Sequence, residues 1–187
     1  PGGTIDTPGP LQNGRTYVMT NNVTGLLFDG ASPPSITTGG EVPGGTAWEY
    51  QYEVYYVKRA NPADVPMLSR RVLSYNPGTS SMEFTTEDLA EGVEDLQLLF
   101  GYDSTGNGEV DTYKDQAAIA GNWPNVESVE VFMLVRSATR DVQYTDVKTY
   151  QLGGAGAVGP MNDNYRRLVS HASVSLRNLK LMIRGDA

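Results

Sequence analysis

Between Asp103 and Asp115, oxygen-bearing side chains recur at alternate positions: Asp103, Thr105, Asn107, Glu109 and Asp111, with Gly108 sixth in the run and Val110 eighth. That spacing reproduces the first two-thirds of a calcium-loop pattern. Calcium takes about six to eight oxygen ligands at roughly 2.3–2.6 Å, and a glycine lets the loop fold sharply around the ion. Read this way, Asp103, Thr105 and Asn107 ligate by side chain, Glu109 by its carbonyl, and Asp111 directly or through water. The pattern wants a bidentate acid at the twelfth position. Lys114 stands there, and Asp115, one residue later, is the substitute. The same residues also read as a Gly106-Asn107-Gly108 hairpin turn with solvated acids, and Thr105 stands where an acid is usual. Calcium is the one cofactor this sequence suggests.

Other chemistry finds less support. Gly154, Gly156 and Gly159 match a GxGxxG spacing, but dinucleotide binding needs a helix N-terminus there and an acid about 20 residues on. Pro160 and the residues Met161-Asn162-Asp163-Asn164 follow instead, so the stretch reads as a hairpin loop. His171 is the single histidine, and a nucleophile–base pair of the triad type needs one beside a serine or cysteine. Strand alternation turns His171 away from the apolar side of its segment, next to Ser170, and its expected place is solvent. Paired carboxylates of the glycosidase kind are set by spatial separation, about 5 Å or roughly 6.5–9.5 Å, rather than by sequence spacing. No motif supports them, and no residue is assigned a catalytic role.

The elements that must position these residues are mostly strands. Thr16–Asn22 and Gly25–Asp29 read as two short strands, and residues 30–47 as a loop broken by Pro33-Pro34, Gly39-Gly40 and Gly44-Gly45. Over Trp48–Lys58, Trp48, Tyr50, Tyr52, Val54 and Tyr56 alternate with Glu49, Gln51 and Glu53, the period of a half-buried strand. Pro66–Tyr75 should return antiparallel to it. Thr85–Glu91 reads as a short helix with Thr86 as N-cap, ended by Gly92. Strands are expected over Val93–Tyr102, Glu127–Ser137 and Lys148–Leu152, then a flexible loop over 153–164. Apolar residues on both faces of Glu127–Ser137 predict a central strand. A last strand runs over Tyr165–Asn178, with Leu168, Ala172, Val174 and Leu176 facing the core. The fold class expected is α+β and strand-dominated, antiparallel sheets with little helix. Residues 1–15 form a flexible lead-in and 16–187 a single domain.

Composition agrees. Gly (21) and Pro (11) make up about one residue in six, too dense for a helical bundle. There are 22 acidic and 14 basic residues, a net charge of −8, and residues 83–115 alone hold ten acids and one base. A nucleic-acid binder shows a basic stripe, so nucleic acid is not an expected partner. With no cysteine, disulfides, thiolate nucleophiles and zinc–thiolate sites are out. A membrane-spanning helix needs about 20 mostly apolar residues, and the longest apolar runs are Leu98–Phe100 and Val131–Val135. The chain opens on Pro1-Gly2-Gly3 without a signal peptide and reads as a piece of a longer protein.

Leu89 to Asp103 (LAEGVEDLQLLFGYD), the Asp/Gly loop with Tyr113, Trp123–Val126, Val129–Ser137 (VEVFMLVRS) and Tyr165–Asn178 occur together in this order. Over roughly residues 48–180 they resemble the PilW family of type IV pilus minor pilins. A more distant resemblance is to the minor pseudopilin J of type II secretion. The PilW resemblance implies a pilin-like head domain, with a prepilin leader and a long hydrophobic helix ahead of it in the full-length protein. It implies a precursor held in the bacterial inner membrane by that helix alone, then a place in the extracellular pilus fibre. The implied role is structural: priming assembly and sitting at or near the tip beside other minor pilins and a tip adhesin. Tyr50, Tyr52, Tyr55 and Tyr56 on one segment keep open a second reading, a secreted carbohydrate- or surface-binding module.

Overall fold

The computed structural model describes residues 9–176 apart from 22, 62, 63 and 155. Two units divide the chain: one gathers residues up to Tyr55 with Arg70–Glu87, the other Tyr56–Ser69 with the chain from Asp88 onward. In the first unit, β1 (Thr16–Thr20), β2 (Gly25–Asp29) and β3 (Thr46–Glu49) form an antiparallel sheet ordered β2-β1-β3. Met19, Val42 and Ala47 are fully buried beneath it, with Leu11, Phe28 and Ile36 packed around them. On the opposite face Val18 pairs with both Leu27 and Trp48, and the latter two stay exposed.

Strands β4 (Glu53–Lys58), β5 (Met67–Asn76) and β6 (Ser81–Glu91) form a second sheet in that order, each contributing residues to both units. Two expectations are corrected here. The expected single strand Trp48–Lys58 is two strands, because Trp48 pairs with β1 whereas β4 pairs with β5, and the chain changes sheets through Tyr50–Tyr52. Its aromatic face is consequently half open, with Trp48 and Tyr52 exposed. The expected helix over Thr85–Glu91 is the second half of β6. Its acids serve cross-strand partners instead of a helix N-terminus: Glu87 meets Arg70 at 2.8 Å, and Asp88 meets Lys58 at 2.5 Å and the Ser69 hydroxyl at 2.8 Å. Gly92 ends the segment as expected, but as a turn between strands with φ +86. A Cβ there would stand 2.6 Å from the Arg136 carbonyl oxygen, so both the backbone and the space select glycine.

The second unit is built on β7 (Val93–Tyr102), β8 (Thr112–Lys114), β9 (Val126–Arg136) and β12 (Arg167–Ser175), ordered β12-β9-β7-β8 and antiparallel throughout. A one-turn helix α1 (Gln116–Ile119) and a 3-10 turn (Trp123–Asn125) lie between β8 and β9. β10 (Tyr150–Gln151) falls within the strand expected over Lys148–Leu152, and its hairpin partner β11 (Ala157–Val158) lies in the stretch expected to be a loop. The central position expected for the 127–137 segment is borne out, since β9 lies between β12 and β7. So is a strand-dominated fold with little helix.

The two faces of this sheet differ in an unexpected way. One carries Glu130, Phe132, Leu134 and Arg136 of β9 with Val169 and His171 of β12, and Leu134, Tyr150 and Leu152 form its buried core under the β10–β11 hairpin. The other carries Leu96 and Leu98 of β7, Val129, Val131, Met133 and Val135 of β9, and Leu168, Ala172 and Val174 of β12. This second, more aliphatic face is open: Leu98 is 42%, Leu168 58% and Val174 50% exposed. Leu168, Ala172 and Val174 thus share a face as expected, but that face is not the core; only Leu176 packs inward, beside Tyr102, Ile119 and Val126. Alternation reports which residues share a face, and burial depends on what covers it. At the termini, residues 1–8 of the expected lead-in and Arg177–Asn178 of the expected last strand lie outside the described residues.

Candidate functional site

The acidic loop hangs from the ends of β7 and β8. Asp103 is buried at the end of β7, and its carboxylate accepts N–H groups of Thr105 (3.0 Å), Gly106 (2.6 Å) and Gly108 (2.5 Å) and the Thr105 hydroxyl (3.3 Å). Burial pushes Asp103 up, but these donors outweigh it and hold the carboxyl below the ordinary range. Asp111 accepts from the Ser104 hydroxyl (2.7 Å) and the Ser104 and Thr105 amides (2.8 and 3.2 Å), with the Ser104 contacts lowering it most. Asn107 accepts from the Glu109 amide at 2.8 Å.

Asp103, Thr105 and Asp111 therefore belong to one knot of loop hydrogen bonds, and Asn107 makes a separate turn with Glu109. Asp115 turns elsewhere: it caps α1, accepting from the Ala118 amide at 2.8 Å. Glu109 is exposed. Lys114 places its ammonium 3.5 Å from the centre of the Tyr102 ring, which accounts for a cation at the position where a calcium loop has its acid. Among the described residues no group of three or more histidine or carboxylate side chains gathers as a metal site.

Gly154, Gly156 and Gly159 fall around the β10–β11 hairpin, and among the described residues the element that follows them is β12, not a helix whose N-terminus could receive a pyrophosphate. His171 lies on the covered face, stacked on Phe132 at 4.4 Å with Nε2 against the Glu130 carboxylate. It is still half-exposed. Glu130 is held below the ordinary carboxylate range by hydrogen bonds from Ser173 first, opposed by burial, and then from His171. The expectation of a solvent-facing histidine is met in exposure but not in isolation, since His171 has two partners across the β12–β9 register.

The densest polar cluster centres on a residue to which the sequence assigned no role. Arg167 at the start of β12, its side chain 2% exposed, contacts Glu94 of β7, Asp146 at 2.9 Å and Asp163 at 2.6 Å. Asp146 is fully buried and also accepts the hydroxyls of Tyr150 (2.8 Å) and Tyr144 (3.1 Å). Arg136 reaches Glu94 at 3.7 Å, donates to the Asp64 carbonyl at 2.6 Å, and stacks over Tyr165 at 4.0 Å. Three carboxylates, Glu94, Asp146 and Asp163, face the guanidiniums of Arg167, Arg136 and Arg59, so the charges are matched. The cluster anchors the excursion 141–164 onto the sheet, with Arg136 Nε buried and without a hydrogen-bond partner. The one hint in the sequence is the i,i+4 spacing of Asp163 and Arg167; the partners at Glu94 and Asp146 are too remote to read.

The remaining surface of note is the open aliphatic face, which continues past Leu98 into a shallow depression against α1, lined by Phe100, Gln116 and Ala117. Contiguous exposed apolar surface of this kind is common at interaction surfaces.

Comparison with known families matches residues 54–178, more than half of the chain, to PilW, the type IV pilus-assembly protein W. No curated protein and no solved structure matches it. The match spans all of β7, β8, β9 and β12, and so both faces of the four-stranded sheet. The chain belongs to the PilW family of type IV pilus assembly proteins.

Proposed function

We propose that this chain is the head domain of a minor pilin, a structural subunit that primes type IV pilus assembly and sits at or near the fibre tip beside other minor pilins and a tip adhesin. Membership of a pilus-assembly family carries the coarser statement, a part in pilus assembly and a place at the cell envelope or surface. The observation that supports the finer reading is the open face of Leu98, Leu168 and Val174, continuous with the valines of β9. Apolar surface left in water costs about 25 cal/mol per Å², and a long apolar helix of the kind the PilW resemblance implies is a fitting cover. Such a helix holds the precursor in the inner membrane and passes with the head into the fibre. No helix among the described residues is itself long and apolar enough to cross a membrane. The family is structural rather than catalytic, and the reading assigns no reaction.

Mass spectrometry of sheared surface fibres and of inner membranes from the source bacterium tests it, following the peptide that spans Val142–Lys148. Recovery from fibres at low stoichiometry is the expected result. Confinement to the inner membrane overturns the fibre role and favours a secretion pseudopilin.

One observation favours a second reading, a secreted surface- or carbohydrate-binding module. Tyr50 and Tyr52 stack at 6.2 Å, Tyr52 meets Phe84 edge-on at 5.9 Å, and Trp48, Tyr52 and Phe84 are exposed. Free protein in the medium together with saturable binding on a glycan array would replace the pilin reading with this one.

A further inference from the structure

Among the described residues, β12 is the outer strand of the β12-β9-β7-β8 sheet. At its two ends the ladder to β9 is closed by Ser137 donating to the Arg166 carbonyl (2.8 Å) and Leu176 donating to the Glu127 carbonyl (2.8 Å). Antiparallel pairing alternates strictly, so Leu168, Ser170, Ala172 and Val174 turn their backbone groups to β9. Val169, His171, Ser173 and Ser175 turn theirs outward, and residues 171–175 are exposed on both faces of the strand.

Native proteins blunt such an edge with charges, proline, a bulge or a covering segment. From Leu168 to Ser175 this strand has no charged residue and no proline, its pairing with β9 has no register shift, and the only cation in the strand, Arg167, has its side chain buried. By contrast, the outer strand β6 carries Glu83, Glu87, Asp88 and Glu91. The β12 edge is left ready to pair.

We propose that the outer edge of β12 is a docking edge for a β-strand, and that a second copy of this chain docks there through its own β12. The sequence of the strand is complementary to itself. With a two-fold axis at His171, antiparallel pairing sets Leu168 opposite the partner copy's residue 174, a valine, and Ser170 opposite residue 172, an alanine, on the open face. On the other face Val169 stands opposite residue 173, a serine. No like charges oppose one another, and the outward N–H and C=O groups of 169, 171, 173 and 175 all fall on hydrogen-bonding pairs. The aliphatic faces of the two copies then join into one continuous surface. A single shared strand buries less than the roughly 1,000 Å² of a lasting complex, so the dimer forms with rising concentration. Each copy carries a net charge of −8, so added salt strengthens it by screening.

Sedimentation equilibrium of the 187-residue chain across a wide concentration range, with amide hydrogen exchange by NMR, tests this. The expected result is a twofold rise in weight-average mass, accompanied by concentration-dependent protection of the Val169, His171, Ser173 and Ser175 amides. Ser173→Pro removes an outward donor without touching the ladder to β9, and Ala172→Lys places a cation on the edge; each abolishes the rise, and Val142→Lys, on a remote exposed loop, does not. If Ser173→Pro fails to fold, Ala172→Lys reads the same edge. A chain that stays monomeric at millimolar concentration overturns the proposal, as does a dimer that persists in both folded variants. Association without protection of those four amides places the contact on the open aliphatic face and overturns it too.

Discussion

Arg167 and Asp146 meet at 2.9 Å with 2% and 0% of their side chains exposed, joining the first residue of β12 to the excursion that precedes β10. Taking both charges out of water is expensive, so the pair is stable only because Glu94, Asp163 and two tyrosine hydroxyls complete the shell. Asp146→Ala leaves the guanidinium short of a partner in a dry site and is expected to cost about 3 kcal/mol in urea unfolding. Arg167→Met combined with Asp146→Leu is expected to cost much less than the two single changes added together.

Acid should loosen the same cluster. Burial pushes Asp146 up, but hydrogen bonds from Tyr150, Arg167 and Tyr144 hold it below the ordinary carboxylate range; Asp163 is lowered chiefly by Arg167. A carboxyl whose folded pKa is depressed contributes stability that is present above its unfolded value near 4 and lost as the pH falls below it. The melting temperature is therefore expected to hold steady down to about pH 5 and fall steeply below about pH 4. Asp146→Asn, less stable at neutral pH, should show a shallower fall.

The two faces of the four-stranded sheet should respond differently to truncation. Leu134 is 1% exposed on the covered face and Leu168 is 58% exposed on the open one. Leu134→Ala is expected to cost about 2–5 kcal/mol, whereas Leu168→Ala should stay within about 0.5 kcal/mol. Denaturant midpoints measure both, and similar losses at the two positions would mean that the open face is covered.

In the acidic loop, Asp103→Ala takes away the acceptor of three backbone N–H groups. The expected result is a melting temperature several degrees lower even in EDTA. The calcium expectation meets its test in the same instrument. A loop that binds the ion melts higher in millimolar calcium by mass action, EDTA reverses the gain, and Asp103→Ala abolishes it.

At the bend between β6 and β7, Gly92→Ala forces a side chain into a left-handed backbone and within 2.6 Å of the Arg136 carbonyl. The expected cost is roughly 1–3 kcal/mol, read by chemical denaturation.

Much of this architecture is legible in local pattern. Gly25–Asp29 and Val93–Tyr102 form strands with the expected bounds, and apolar residues on both faces of 127–137 mark the central strand. The misreadings share one cause. Thr85–Glu91 carries good helix-start residues, yet Arg70 on the neighbouring strand β5 and Lys58 on β4 beyond it claim its acids. Trp48–Lys58 alternates from Trp48 to Val54 as one strand would, yet its two ends pair with different sheets.

The same distinction runs through the candidate sites. Asp103, Thr105, Asn107 and Asp111 lie close in the chain, so a local pattern suffices to find their loop, and the family is carried by short motifs in order. Sequence by itself determined those, along with the strand-dominated class and the absence of thiol chemistry. Only the tertiary structure decided that Arg167 gathers Glu94, Asp146 and Asp163. Only it decided that the aliphatic face of β12, β9 and β7 is open while the face bearing Glu130 and Arg136 is covered. The physical reason is that alternation fixes relative facing within a strand, whereas burial and charge pairing depend on which distant segment packs on that face.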